Sequence, residues 1–392
     1  MYKAYKYRIY PTPEQKVLLA QHFGNGRWFW NYALNLCEQT YRETGKGLTR
    51  NAIQKLLPEL KKEHEWLGLC YSQCLQVVAL NLSTAYKNFF EKRGGYPRYK
   101  SKKGRQSIQY PQNVKLEGDY LKLPGAVGKV YCRLTRQFEG TIKTTTISLT
   151  SSGQYFASIL VDDGKSPPAP LIKGGAEGGG IEGKAIGIDV GITDIAVTSD
   201  GQKFSNPKWM AKHEKNRVRK ECKLARKQNG SNRRNKARKL VAKVHNRIAN
   251  CRSDFLHKLS RRIVDENQVI CVENLNVKAM TRNRKLSKAI SQVGWGMLCT
   301  MLKYKAEWEG KVYLEIDRFF PSSKTCSHCY HKVEELPLNI RSWICPKCNT
   351  HHDRDVNAAI NIRDEGLRIL AVGRTDTAQG RTVRLTSVSK GE

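Results

Sequence analysis

Short apolar runs closed by turn residues are the strongest pattern in the second half of the chain. In Lys184-Ala-Ile-Gly-Ile-Asp-Val-Gly-Ile-Thr-Asp-Ile-Ala-Val-Thr-Ser-Asp-Gly201 two such runs, 185–188 and 195–198, flank a glycine-spaced turn. That spacing predicts a β-hairpin entering a buried sheet. Gln268-Val-Ile-Cys-Val-Glu-Asn-Leu275 reads as another buried strand and Lys311-Val-Tyr-Leu-Glu-Ile316 as a further one. The first run ends on Asp189 and the Gln268 run on Glu273. An ionised carboxylate in an apolar frame is costly unless it is paired or holds a metal.

The first half alternates between helical and strand periods. Residues 1–10 alternate basic with aromatic or aliphatic side chains, as a strand does. Pro11-Thr-Pro-Glu-Gln15 then opens a helix, with Thr12 as N-cap and Pro13 in the first helical position. Helical spacing continues over 17–36, 49–62 and 72–93 until Gly94-Gly-Tyr-Pro-Arg-Tyr-Lys100 breaks it. From 108 to 161 short β runs (121–123, 129–133, 144–149, 155–161) predict a small antiparallel barrel or sheet. The first strand would join it and leave the helical bundle, 11–93, as an insertion. Residues 164–183 are a Gly- and Pro-rich linker by composition. The last residues, 371–392, are expected to be a disordered tail.

Charge sharpens this picture. The 392 residues carry 69 Lys+Arg against 35 Asp+Glu, a formal net charge of +34. Such a balance calls for a polyanion, and nucleic acid fits better than a membrane. No apolar run approaches the roughly 20 residues of a membrane span. The N-terminus lacks a signal-peptide core, so the twelve cysteines are expected in a reducing cytoplasm. Residues 212–262 alone hold 19 Lys/Arg and 3 Asp/Glu. Asn229-Gly-Ser-Asn232 divides them into two helical arms, each with one apolar face and a wide basic one.

Two constellations carry chemistry. Cys326-x2-Cys329-x15-Cys345-x2-Cys348 has the spacing of a zinc ribbon, and four thiolates suit a closed, tetrahedral, structural zinc. Asp189 and Glu273 at strand ends, with Asp353 or Asp355 at the start of a helix, form the order Asp, Glu, Asp on strand, strand and helix. A ribonuclease-H-type core needs that set to hold two divalent ions about 3.5–4 Å apart, one activating the attacking water and one stabilising the leaving oxygen. Oxygen-only ligands favour magnesium or manganese over zinc.

The motifs Tyr7-Arg-Ile-Tyr-Pro-Thr12, Gly94-Gly-Tyr-Pro-Arg-Tyr-Lys100, Gly187-Ile-Asp-Val-Gly191, Val272-Glu-Asn-Leu275, Pro321-Ser-Ser-Lys-Thr-Cys326 and Asp353-Arg-Asp-Val-Asn-Ala-Ala359 together resemble TnpB, the transposon-encoded RNA-guided nuclease family related to type V CRISPR effectors. The resemblance implies an α/β and α+β multidomain protein. A wedge-like β-barrel (1–10 and 94–163) is split by a helical recognition bundle (11–93). A RuvC nuclease domain (184–325 and 352–370), with its basic helical hairpin at 207–265, carries an inserted zinc ribbon (326–351). It implies Asp189, Glu273 and Asp355 as catalytic magnesium ligands, with Asp353 capping the helix. It also implies a guide RNA and a target double-stranded DNA as partners of a monomer, with base pairing reading sequence as in Cas9. Gln73 and Gln76 are candidates for reading the motif beside the target. The family often has Gly after the second cysteine of each pair, where Tyr330 and Asn349 stand here. The alternatives are an RNA-guided DNA-binding protein or repressor without cleavage, and a cut-and-paste transposase.

Overall fold

The computed structural model describes residues 1–166, 168, 183–283, 287–337 and 339–372, with two short paired strands, Arg374–Asp376 and Thr382–Arg384, beyond them. Most of the linker at 164–183 and of the tail at 371–392 lies outside the described residues. The chain divides into two compact units, Met1–Ser166 with Arg238–Lys243, and Pro167–Ala237 with Val244–Glu392.

The first unit is organised around β1 (Tyr2–Tyr10), whose alternation sends Tyr7 and Ile9 into the core and Arg8 and Tyr10 outward. Four helices follow it: α1 (Pro13–Thr44), α2 (Arg50–Lys55), α3 (Leu57–Glu63) and α4 (Ser72–Phe90). Thr12 caps α1 in a reciprocal box with Gln15. The single helix expected over 49–62 is two, because Pro58 has no amide with which to carry α2 onward. Strands β2 (Gln106–Tyr110), β3 (Lys115–Glu117), β4 (Tyr120–Leu123), β5 (Gly128–Arg133), β6 (Thr141–Leu149) and β7 (Tyr155–Asp162) complete a seven-stranded antiparallel sheet in the order β2-β6-β7-β1-β5-β4-β3. By its hydrogen bonding the sheet is open: the edges β2 and β3 do not pair with each other, so the expected barrel is not closed. Helix α1 lies close against it, since a Cβ on Gly26 would come within 2.9 Å of Ile108 Cδ1.

The second unit holds β8 (Ala185–Asp189), β9 (Asp194–Thr198) and β10 (Lys203–Ser205), then α5 (Trp209–Ala225) and, apart from Arg238–Lys243, α6 (Asn232–Glu266). After these come β11 (Val269–Glu273), α7 (Val277–Met280), α8 (Ser287–Val293), α9 (Trp295–Trp308), β12 (Val312–Ile316), the hairpin β13 (Ser342–Ile344) and β14 (His351–Asp353), and α10 (Arg354–Ala371). Its sheet runs β10-β9-β8-β11-β12, with β8, β11 and β12 parallel and β9 and β10 antiparallel. Gly294, whose φ of 81° is left-handed, ends α8 and starts α9 afresh. The basic arms are α5 and α6, and α6 buries Val244, Ile248, Leu256, Leu259 and Ile263 while its charged positions face outward. Among the described residues no helix is long and apolar enough to cross a membrane.

Helix α10 sits on this sheet through two glycines. A Cβ on Gly187 of β8 would collide with Ala359 O at 1.9 Å and Arg363 N at 2.6 Å, and one on Gly366 would meet Cys271 Sγ at 2.3 Å. At Gly187 backbone thus meets backbone, and at Gly366 the helix backbone meets the Cys271 side chain, so that any larger residue would hold the helix away. Overpacking a core position typically costs about 1–3 kcal/mol, and here the obstacle is main chain, which yields least. Gly187→Ala is expected to lower the melting temperature by several degrees, at roughly 2–4 °C per kcal/mol for a chain of this size class. A variant that melts like the parent would show that α10 is not seated on β8.

Candidate metal centres

The carboxylates come together at one edge of the second unit. Ile188 and Val272 are the last registered pair of the parallel ladder β8–β11, and Asp189 and Glu273 follow them at the two strand ends. They are therefore lateral neighbours, about one strand spacing apart. Asp355 lies in the first turn of α10, where the helix dipole favours negative charge. Burial, and then the charges of Glu273 and Asp355, push the Asp189 carboxyl up to about 7. Burial raises Glu273 as well. An acid pushed up by burial and by two neighbouring carboxylates marks a place where a bound cation would stabilise the charged state.

Asp353 behaves differently. Its Oδ1 accepts the amides of Asp355 (3.1 Å) and Val356 (3.0 Å), the geometry of an N-cap, and its Oδ2 accepts Lys203 Nζ at 2.6 Å. Burial would raise its carboxyl, but the lysine and the helix amides outweigh burial and hold it below the usual value. The helix start thus assigns the two aspartates different partners: Asp353 is consumed by the cap and Lys203, while Asp355 couples to Asp189 and meets Arg341 at 3.4 Å. Lys203, on β10, also feels the charges of Asp355 and Asp194. Nothing in the sequence near Lys203 marked it as part of this neighbourhood.

The sign of the Asp189 shift gives a prediction. An acid raised in the fold keeps a proton that the unfolded chain has lost, so its contribution to stability falls as pH rises from about 4 to 7. A cation bound by the carboxylates reverses that loss. Magnesium should therefore raise the melting temperature clearly at pH 7.5 and much less at pH 5, and Asp189→Asn should remove the difference. An equal magnesium shift at both pH values, followed by scanning fluorimetry, would contradict it.

The cysteines gather more tightly. Cys326, Cys329, Cys345 and Cys348 place all four Sγ atoms within 4.8 Å of one another, the one such His/Cys/Asp/Glu group among the described residues. Cys326 Sγ to Cys348 Sγ and Cys329 Sγ to Cys345 Sγ are both 3.6 Å. A tetrahedron with metal–sulfur bonds of about 2.3 Å has edges of about 3.8 Å, so the donor set fits a tetrahedral ion. The carboxylates are not drawn to that closeness. Ligands that span two ions need not be.

Each Cys-x2-Cys pair closes on a turn in which the residue after the second cysteine donates to the first cysteine's carbonyl. Tyr330 N to Cys326 O and Asn349 N to Cys345 O are both 2.9 Å. Tyr330 (φ 59°) and Asn349 (φ 57°) stand in the left-handed region. That conformation suits glycine, is tolerated by asparagine and is strained for tyrosine. His352 Nε2 lies 3.0 Å from Cys326 Sγ with its ring against Trp343.

Sequence reasoning left several residues without a role. Asn357 donates to Thr325 O (2.8 Å) and accepts from Ser327 N (2.9 Å). Asn361 donates to Ser322 O and Thr325 O (2.7 and 2.6 Å), and buried Arg354 donates to Pro337 O (2.7 Å). These three tie the segments flanking the cysteines to α10, the helix that carries Asp355. Their spacing within the Asp353–Asn361 stretch was the available signal.

On the arms, Arg217 bonds both Glu214 and Glu221, and Asp254 pairs with Lys258. The few acids of the arms are thus answered within the arms, and most of the basic side chains remain directed at solvent. In the first unit Gln73 and Gln76 share a shallow depression with Arg50, Pro111 and Gln112. Gln76 is exposed and Gln73 accepts the Tyr71 hydroxyl at 2.8 Å.

Similarity to known proteins follows the same division of the chain. A family model described as "Probable transposase" matches residues 180–284, one described as "Cas12f1-like, TNB domain" matches 295–362, and one described as "Helix-turn-helix domain" matches 1–46. Within 1–46 the structure has a strand and one continuous helix. A Streptomyces pristinaespiralis protein named "Putative RNA-guided DNA endonuclease" is 40% identical over 377 residues, 95% of this chain and 91% of the relative. The Escherichia coli K12 protein "Putative RNA-guided DNA endonuclease InsQ" is 29% identical over 390 residues, 95% of this chain and 94% of the relative. "TnpB-like protein L79" of Acanthamoeba polyphaga mimivirus is 22% identical over 401 residues, 93% of this chain and 73% of the relative. With 40% identity to the Streptomyces relative over nearly the whole of both chains, the chain belongs to the TnpB family.

Proposed function

We propose that the protein is an RNA-guided DNA endonuclease that cuts double-stranded DNA at the site formed by Asp189, Glu273 and Asp355. The observation that carries this reading is the convergence of those carboxylates at two parallel strand ends and one helix N-terminus, in a chain 40% identical to a relative named for that activity. The all-oxygen donor set suits two magnesium ions, which when bound would supply an activated water and charge stabilisation at the leaving oxygen. The chain's own residues do the rest. Asp189 and Glu273 are held by the ladder, and Asp355 is aimed by the Asp353 cap and the ribbon ties. Lys203 neutralises Asp353, so that the cap adds no further negative charge to the site.

In this reading 1–10 and 94–163 form the wedge-like domain, 11–93 the recognition bundle, 184–325 with 352–370 the RuvC domain, and 326–351 a ribbon closed on zinc. The basic faces of α5 and α6 hold the backbone of the guide–target heteroduplex. Gln73 and Gln76 contact the flanking motif, and one protein chain carries one RNA. The test is direct: the protein purified with its guide RNA is expected to cut a matched duplex in magnesium and to leave a mismatched one whole. Wild-type protein that binds the matched duplex yet never cuts it would falsify the nuclease reading in favour of an RNA-guided repressor.

A further inference from the structure

The motif Tyr7-Arg-Ile-Tyr-Pro-Thr12 is only half explained by packing. Tyr7 and Ile9 fill the core, but Arg8 and Tyr10 point the other way, onto the open face of the seven-stranded sheet. On that face Tyr10 of β1 is registered opposite Tyr131 of β5, and Tyr131 opposite Tyr120 of β4. The three rings form a row across three strands with centroids 5.8 Å apart at each step. They are 40%, 41% and 47% exposed, although each could have been a polar residue at no cost to the core.

The rows on either side are cationic. Arg8 faces Arg133 on one side, with the Arg8 guanidinium 5.0 Å from the Tyr10 ring centre, and Lys122 faces Lys129 on the other. One acid, Glu117, enters the set, bonded to Lys129 at 2.7 Å and to Lys122 at 3.4 Å.

A row of exposed aromatic rings between two rows of cations matches the chemistry of an unpaired polynucleotide. Bases stack on the rings whatever their sequence, and phosphates lie along the cations. A protein surface partner would meet net positive charge on both flanks, two arginines on one and two lysines sharing Glu117 on the other, and a duplex would offer no base faces to the rings. The occupant we infer is an unpaired stretch of the guide RNA, an inference that rests on the RNA-guided reading above. An exposed aromatic patch is a liability that a resident partner covers. The guide RNA is resident throughout, whereas a displaced DNA strand is present only after a target opens.

The test uses the full chain freed of nucleic acid and a twelve-nucleotide oligo(U) RNA carrying 4-thiouridine. Crosslinks mapped by mass spectrometry are expected at Tyr10, Tyr120 or Tyr131. Tyr120→Thr with Tyr131→Thr, which keeps strand-forming residues, should weaken RNA binding by roughly tenfold or more while leaving the slope of affinity against salt unchanged. Tyr120→Phe with Tyr131→Phe should bind within about twofold of wild type, because stacking survives loss of the hydroxyl. Lys122→Gln with Lys129→Gln should flatten the salt slope by about one unit.

The proposal is overturned if the threonine variant, melting like wild type, binds the RNA equally well. Crosslinks confined to the arms, an equal or stronger loss with oligo(dT) DNA, or a loss matched by the phenylalanine variant would each overturn it too. Crosslinking at the tyrosines in a protein that never cuts guided DNA would sink the nuclease reading alone and leave the RNA face standing.

Discussion

Asp189→Asn and Glu273→Gln proteins loaded with guide RNA should bind a matched duplex as the parent does and leave it uncut, with the cleavage rate down by roughly a thousandfold or more. The size follows from the role. In the proposed reading a pair of ions held by these carboxylates would stabilise the transferring phosphate by several kcal/mol, and about 4 kcal/mol corresponds to three decades of rate. Each substitution keeps volume and hydrogen-bonding capacity but removes one of the charges that make the site bind a cation. Binding is spared because the basic faces of α5 and α6 and the first unit lie elsewhere in the sequence and contribute nothing to these strand ends. Asp353→Asn should separate from the other two: it keeps an N-cap and loses only the Lys203 ion pair. Cleavage should then fall far less than in Asp355→Asn. Gel-based cleavage and filter binding on the same preparations measure both quantities. Equal losses for the Asp353 and Asp355 variants would overturn the division of labour drawn from the helix start.

The second large effect is expected at the cysteines. Cys345→Ser, or exposure to a strong chelator, should strip the metal, expose 326–351 to protease and lower cleavage well beyond the loss of a surface hairpin. A structural zinc typically contributes about 10–16 kcal/mol to its small domain, and among the described residues the ribbon's own buried core is only Cys326, Trp343 and Cys345. The effect should reach the nuclease site because β14 runs straight into α10 at Asp353, and Asn357 and Asn361 bind the backbone at 322–327. Loosening the ribbon therefore loosens the helix start that aims Asp355. Zinc content by atomic emission, limited proteolysis and cleavage rate should fall together. A ribbon that stays protected in metal-free protein would remove the structural-metal reading.

Much of this site was legible in the chain because its signals are local. Apolar runs ending on Asp189 and Glu273 marked the strand ends, and the Cys-x2-Cys pairs marked the turns. Choosing Asp355 over Asp353 rested on motif matching, and the cap geometry and Lys203 now add a physical ground for it. What could not be read depends on contacts between distant segments. That β1 lies between β7 and β5, that Lys203 reaches Asp353 from 150 residues away, and that Gly187 must lack a side chain because Ala359 lies against it are facts of tertiary placement. The break within 49–62 was misread for a related reason. Apolar spacing runs on past Leu56, while Pro58 ends the hydrogen bonding there.

In the proposed reading, the seating of α10 on β8 also fixes when the protein can become active. Gly187 meets a helix made about 170 residues later, and Asp355 is the last of the three carboxylates to be synthesised. On the ribosome, the basic arms α5 and α6 are complete long before that helix emerges. The growing chain can therefore acquire its RNA while it still has no means of cutting, and the capacity to damage DNA arrives last.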